Sequence, residues 1–193
     1  QEGRGFSLDH PGFGGLTYQR PPLCAGDPIT GFSSNGLPVF GVHVLPGTIR
    51  AADYDDFPVS GEGHTTHDLS PGNAGGQYRA GDVDIACSAE GQPVLSSLAP
   101  GEWVTYTVHV PTAGNYTIGV RYAAAAAGGA IRIAFGGADV VGDVALAATS
   151  GSWRTITVAG GVPLKAGVQA LRVSIAGAAN AFDLDSITVS GAN

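Results

Sequence analysis

The sequence has 193 residues, a length suited to one buried domain with an appendage. With 44% hydrophobic residues, only 13% charged residues, 31 Gly and 12 Pro, it argues against a disordered chain or a helical bundle and predicts an all-β protein. The net charge of −7 offers no basic stripe for nucleic acid or an anionic membrane surface, and no apolar run approaches the roughly 20 residues of a membrane span.

Residues 1–44 are rich in turn formers, as in HPGFGG, RPPLCAGDP and FSSNGLP, and show no helical or strand periodicity. We interpret them as an irregular N-terminal arm whose aromatic and apolar residues lie along a folded body, residues 45–193. The two cysteines, Cys24 and Cys87, lack the spacing of a metal or redox motif. A disulfide between them would hold the arm on the body.

From residue 101 onward, apolar residues recur at every second position, which is typical of strands with one buried face. The predicted strands are WVTYTVHV (103–110), NYTIGVRY (115–122), IRIAF (131–135), QALRVSI (169–175) and FDLDSITVS (182–190). Loops with Gly or Pro separate them at intervals of about eight to twelve residues, the spacing of a β-sandwich. In the last strand the apolar positions change parity, which predicts a bulge near Asp185 or Ser186.

Several segments together resemble one known family. They are LPGTIRAADYD (45–55), HDLSPGNAGGQYRAGDVDI (67–85), GEWVTYTVHVPTAGNYTIGVRYA (101–123), SGSWRTITV (150–158), LKAGVQALRVSI (164–175) and FDLDSITV (182–189). In this order they are similar to the family 6 carbohydrate-binding modules. The resemblance implies a jelly-roll β-sandwich of two antiparallel sheets, found outside the cell and attached to polysaccharide-degrading enzymes or other extracellular proteins.

The resemblance also implies a sugar-binding cleft at one end of the sandwich. Trp153 matches the family's tryptophan, which stacks on a sugar ring, and Asp183 stands where the family has an asparagine that binds hydroxyl groups. The family's second aromatic residue, a tyrosine, has no match, because Pro93 and Val94 occupy that part of the sequence. On the residues alone, Trp153 has outward parity beside a Gly/Ser loop, and it is either a sugar platform or a cover over the end of the sandwich.

Three further residues are candidates for sugar binding. Tyr78 and Arg79 follow the Gly/Asn run GNAGG, where they would offer a ring for stacking and a fork of hydrogen-bond donors, or else Tyr78 packs on the arm. Asn180 lies at the entrance to the last strand, near Asp183. The side chains of Asn180 and Asp183 each either bind sugar hydroxyls or are solvated.

The family's structural calcium is not expected to be retained. Two glutamates of the family's opening strand IEAEDY are replaced by Arg50 and Ala52, so that Asp185 is the only matching carboxylate. Calcium requires about six to eight oxygen ligands. No other cofactor is implied.

The sequence NYT makes Asn115 an N-glycosylation acceptor if the protein is eukaryotic and secreted. Glutamates are few, and no nucleophile elbow, phosphate loop or zinc signature occurs, so we expect no enzyme activity. The predicted function is non-catalytic binding of a neutral polysaccharide or glycan. The alternative is a structural subunit of an extracellular matrix, appendage or filament, with a decayed sugar site and an arm (residues 1–44) that contacts a neighbouring domain or subunit.

Overall fold

A computed structural model describes residues 41–56, 61–79 and 81–191. Within these ranges the chain forms two sheets of six strands each and no helix. The strands are β1 (His43–Val44), β2 (Gly47–Arg50), β3 (Thr66–His67), β4 (Ile85–Cys87), β5 (Pro93–Leu95), β6 (Trp103–Val110), β7 (Gly114–Ala123), β8 (Gly129–Phe135), β9 (Ala138–Ala145), β10 (Arg154–Leu164), β11 (Gly167–Gly177) and β12 (Asp183–Gly191).

One sheet has the strand order β1-β6-β11-β8-β9, with β3 also pairing with β6. The other has the order β10-β7-β12-β5-β4, with β2 also pairing with β12. All pairs are antiparallel except the short pair β1 and β6. The predicted all-β sandwich is therefore confirmed. Strand β1 lies in the segment assigned to the arm, and residues 1–40 lie outside the described residues.

Alternating side chains of the two sheets form one core. In β6, Val104, Tyr106 and Val108 are buried, and the neighbouring strand β11 contributes Leu171 and Val173. In the facing sheet the buried residues include Ile118, Val120, Tyr122, Leu184, Ile187 and Val189. The period of two in the sequence thus corresponds to the inward faces of the strands.

The predicted bulge in the last strand is present. The pairing of β12 with β7 shifts register between Leu184 and Ser186, so Asp185 is the extra residue. Strand β9 was not predicted. Its signal in the sequence is the pair Gly136 and Gly137, both at positive φ, which connects β8 and β9 as a tight hairpin turn. Among the described residues, no helix is long and apolar enough to cross a bilayer.

Candidate functional site

The loops at one end of the sandwich are hydrogen-bonded to one another. The amide groups of Thr149 and Gly151 donate to the carbonyl oxygen of Ala124, at 2.8 and 3.2 Å, and the Ala124 amide donates to Thr149 Oγ1 at 2.9 Å. The Ala178 amide donates to the Gly128 carbonyl at 2.8 Å. The loops that follow β7, β9 and β11 therefore form a connected rim, on which side chains can be held in place.

Trp153 lies on this rim, immediately before β10. The first residue of β10, Arg154, pairs with Tyr122, and Thr155 pairs with Arg121. Trp153 is half-buried and is not part of the hydrophobic core. Alternation places its side chain on the outer face of the sheet, as predicted from the parity of Ile156 and Val158, which pack against the core.

Asp183 starts β12 at the same end of the sheet. Strands β10 and β12 both run antiparallel to β7, which lies between them, so their N-terminal ends lie together. Tyr122 of β7 pairs with Arg154 on one side and with Leu184 on the other, which puts Trp153 and Asp183 at equivalent positions beside Ala123. Asp183 is half-buried, and this burial raises the pKa of its carboxyl group.

Asn180 belongs to the loop before β12. Its backbone has a positive φ of 54°, a conformation that asparagine adopts more readily than most residues. Its amide donates to the Leu98 carbonyl at 2.7 Å, and its side chain is exposed. The structure therefore brings Trp153, Asp183 and Asn180 to one end of the sandwich.

Arg121 is a member of this site that the prediction missed. Its guanidinium group lies over the Trp153 ring, 5.1 Å from the ring centroid. Its Nη2 donates to both carboxylate oxygens of Glu90, at 3.0 and 2.8 Å, and its Nη1 is 3.3 Å from Asp185 Oδ2. Although burial opposes the shift, these two carboxylates raise the pKa of Arg121.

A signal for Arg121 was present in the sequence: it is the one charged residue within the apolar strand β7, at outward parity. Glu90 had no comparable signal, because it lies in the turn between β4 and β5 and reaches Arg121 only in the folded sheet.

Tyr78 and Arg79 do not belong to the site, and the expectation that they face a sugar is wrong. Their exposed fractions are 4% and 2%. The Tyr78 hydroxyl donates to Asp53 Oδ1 at 2.7 Å. The Arg79 guanidinium donates to the Tyr54 carbonyl, stacks 3.8 Å from the centroid of the Tyr54 ring and lies 3.1 Å from Asp56 Oδ2.

The physical reason is that the buried Arg79 guanidinium is compensated by the partly exposed Asp56 carboxylate and by backbone carbonyls, an arrangement that would be lost if its side chain turned outward. Burial also raises the pKa of Tyr54 to about 12, although the positive charge of Arg79 opposes this shift.

Comparison with known proteins identifies the family of the chain. The sequence profile of the family described as carbohydrate binding module (family 6) matches residues 75–191, more than half of the chain. The chain belongs to this family. Family 6 modules bind carbohydrate without catalysis, so non-catalytic carbohydrate binding is the function of the chain, and the prediction that it is not an enzyme is confirmed. The alternative of a structural subunit finds no support in these comparisons.

Solved structures of family 6 modules share the fold. A module from Clostridium stercorarium in complex with cellobiose has a TM-score of 0.55 at 16% identity and covers 79% of this chain and 98% of its own. A β-1,3-glucan-binding module from Bacillus halodurans has a TM-score of 0.54 at 20% identity, with 78% and 99% covered. The C-terminal module of a marine laminarinase from Zobellia galactanivorans has a TM-score of 0.51 at 23% identity, with 56% and 88% covered.

No curated protein sequence matches the chain.

The predicted sugar site lacks the second aromatic residue that the family resemblance implies. Pro93 and Val94, which occupy that part of the sequence, belong to β5 and are buried. They provide no ring opposite Trp153. The predicted platform would therefore have a single aromatic residue, Trp153, among the matched positions.

The residues at the family's calcium position do not fit a calcium ion. Ala52 is fully buried and has no ligand atom in its side chain. Asp185 accepts a hydrogen bond from Ser186 Oγ at 2.8 Å and faces the Arg121 guanidinium, so its charge is already compensated. With Arg50 at the other glutamate position, the group lacks the carboxylates that calcium requires.

The remaining predicted sites stay predictions. Asn115 is exposed near the start of β7, so the glycosylation acceptor is accessible. Cys87 is an exposed residue of β4, whereas Cys24 lies outside the described residues, as does most of the arm.

Proposed function

We propose that this family 6 module binds a neutral polysaccharide or glycan at the loop end of the sandwich, with Trp153 as the stacking platform. The observation that carries the proposal is the half-buried indole immediately before β10, outside the core and across β7 from Asp183. A pyranose ring presents an apolar face that stacks on such a ring and a rim of hydroxyls that bind polar groups.

Asp183 and Asn180 supply the polar groups. An ionised carboxylate accepts hydrogen bonds from two neighbouring hydroxyls, and an amide side chain both donates and accepts. Glu90, Asp183 and Asp185 lie around the platform, and the whole chain has a net charge of −7. This charge favours a neutral glycan over a uronate or a sulfated sugar, because like charges repel.

The glycan class follows from the same argument and from the structural relatives. Cellobiose and β-1,3-glucan, which appear with two of the relatives, are neutral glucans. We therefore propose a β-glucan as the first ligand to test, followed by xylan and agar-type galactan. The protein acts outside the cell, where such polysaccharides occur, either alone or as an accessory module of a degrading enzyme.

The experiment is affinity electrophoresis through gels that contain laminarin, cellulose oligosaccharides, xylan or agarose, followed by calorimetry with the best ligand. We expect dissociation constants in the micromolar to millimolar range, about −8 to −4 kcal/mol, because sugar hydroxyls exchange hydrogen bonds with water for hydrogen bonds with the protein. Trp153→Ala should abolish retardation, and Trp153→Phe should retain part of it. Trp103→Phe, on the other sheet, is the matched control and should bind like wild type. Retardation that persists in Trp153→Ala would refute the proposal.

A further inference from the structure

The indole of Trp153 has a cationic partner that is itself fixed from two sides. Arg121 lies over the ring at 5.1 Å, and it extends from β7, the strand next to Trp153 in the sheet. A guanidinium over an indole face is attracted by the ring quadrupole, and its planar shape suits stacking. This contact alone would order the indole only weakly at a half-exposed position.

Two carboxylates hold the guanidinium in place. Glu90 accepts two hydrogen bonds from Arg121 Nη2 and comes from the β4–β5 turn. Asp185 lies 3.3 Å from Nη1 and comes from the bulge of β12, which turns its side chain toward Arg121 instead of into the regular alternation. Asp185 is 8% exposed, so its ion pair with Arg121 is shielded from solvent. Glu90, Arg121 and Asp185 form what we call the arginine clamp.

The clamp matters because Trp153 has no opposing ring at the matched positions. With Pro93 and Val94 buried in β5, these positions provide no second aromatic wall to fix the orientation of the sugar. The orientation of the indole must therefore be set by the protein groups that contact it, and Arg121 is such a group. Preorganising a platform raises affinity because fewer rotamers are lost on binding.

We propose that Arg121 is a positioning residue for sugar binding: held by Glu90 and Asp185, it orders the indole of Trp153 and leaves a single face of the ring for one sugar. The proposal rests on the proposed function for its effect on affinity. Its effect on the indole exists without any ligand and can be measured separately.

The chain contains its own control for this contact. Arg172 lies over Trp103 on the other sheet, 3.8 Å from the ring centroid, and these are the two tryptophans of the sequence. A Trp103→Phe background leaves Trp153 as the single fluorescent indole. Arg172→Gln in that background removes the same charge from the surface without touching the clamp.

The experiment measures acrylamide quenching and fluorescence anisotropy of Trp153 without ligand, the thermal midpoint, and the dissociation constant for the glycan retained best by wild type. In the Trp103→Phe background we expect Arg121→Gln to increase quenching, to lower the anisotropy and to weaken binding by about 3- to 5-fold, the size of an exposed cation–π contact. Arg121→Lys keeps the positive charge but loses the planar guanidinium group and its paired hydrogen-bond donors. Its quenching, anisotropy and dissociation constant should therefore lie between those of the Trp103→Phe background and those of Arg121→Gln.

Glu90→Gln tests the clamp without altering the sheet, because Glu90 is an exposed turn residue. Like Arg121→Gln, it should increase quenching and weaken binding, but each by a smaller factor. The thermal midpoint should be unchanged. Arg172→Gln should change neither. Unchanged quenching and anisotropy in both Arg121→Gln and Glu90→Gln would overturn the proposal. If quenching changes as expected but no glycan binds wild type, the clamp is confirmed and the proposed function fails.

Discussion

Gly75 lies directly against the backbone carbonyl of Ile85, and a side chain at Gly75 would overlap it. A Cβ there would also stand 2.9 Å from the amide nitrogen of Ala86. Asn73 supports the same contact, because its Oδ1 accepts from the Ile85 amide at 2.9 Å. The glycine-rich run before Tyr78 thus brings one loop close to the start of β4, and its role is structural.

Gly75→Ala should therefore destabilise the fold. Because the atoms in the way are backbone atoms, the loop must move, and overpacking of this kind costs about 1–3 kcal/mol. Gly142→Ala on β9 is the control, since its added methyl group would meet no atom of the described residues within 4 Å and its φ is not positive. Urea unfolding measures both free energies. Equal values for the two variants would contradict the contact.

Tyr78→Phe should affect stability and leave sugar binding unchanged. The variant keeps the buried ring and loses the hydrogen bond to Asp53, which contributes about 1 kcal/mol. The dissociation constant for the best glycan should stay at the wild-type value, because Tyr78 lies in the interior. A clear loss of affinity with unchanged stability would contradict this prediction and would show that Tyr78 takes part in sugar binding.

The sequence could predict the strands β6, β7, β8, β11 and β12 and the end of the sandwich that carries Trp153 and Asp183, because the strands depend on local alternation and the end of the sandwich on short motifs. It could also predict the bulge at Asp185, because a change of parity is visible along one strand. The burial of Arg79 could not be predicted, since the groups that surround it, Tyr54 and Asp56, are more than twenty positions earlier in the chain.

The same reason applies to Glu90 and Arg121, which meet only through the strand order of the sheet. Strand β9 was missed because Gly142 and two aspartates interrupt its apolar pattern, so that it lacks a continuous period of two.

Calcium should have no effect on stability. The Arg121 guanidinium already compensates Asp185, and Arg50 and Ala52 replace the two other carboxylates. A ligand that does not bind the folded state cannot raise its melting temperature. We expect the midpoints in millimolar CaCl₂ and in EDTA to agree within about 1 °C. A calcium-dependent increase that is lost in Asp185→Asn would show that the site is retained.

Asp55 should make the fold more stable as the pH falls from neutral. It is 3% exposed; Thr107 Oγ1 donates to its Oδ2 at 2.6 Å, and its Oδ1 is buried without a hydrogen-bond partner among the described residues. Burial raises the pKa of this carboxyl, against the opposing effects of the Thr107 hydrogen bond and of the charges on His43 and Arg79. The folded state then binds the proton more tightly than the unfolded state, so its ionisation at higher pH costs stability.

The measurement is the free energy of unfolding of wild type and Asp55→Asn between about pH 7 and about pH 3, a range that includes ordinary and raised carboxyl pKa values. Asp68 and Glu102, whose pKa values are also raised by burial, contribute equally to both proteins. The difference between the two curves isolates Asp55, and we expect wild type to gain more stability on acidification than the variant. Parallel curves would show that Asp55 has no raised pKa.

Asp183 should make sugar binding depend on pH. If its ionised carboxylate accepts hydrogen bonds from sugar hydroxyls, protonation removes part of that acceptor capacity, so affinity should be highest at neutral pH and should decrease as the pH falls through the raised pKa. Because burial raises this pKa, the decrease should begin closer to neutral pH than for an ordinary aspartate. Asp183→Asn restores the asparagine that the family resemblance implies at this position, and its side chain does not titrate. Calorimetry with this variant should give an affinity that changes little over the same pH range. Equal pH dependence in both proteins would show that the carboxyl group of Asp183 does not contact the sugar.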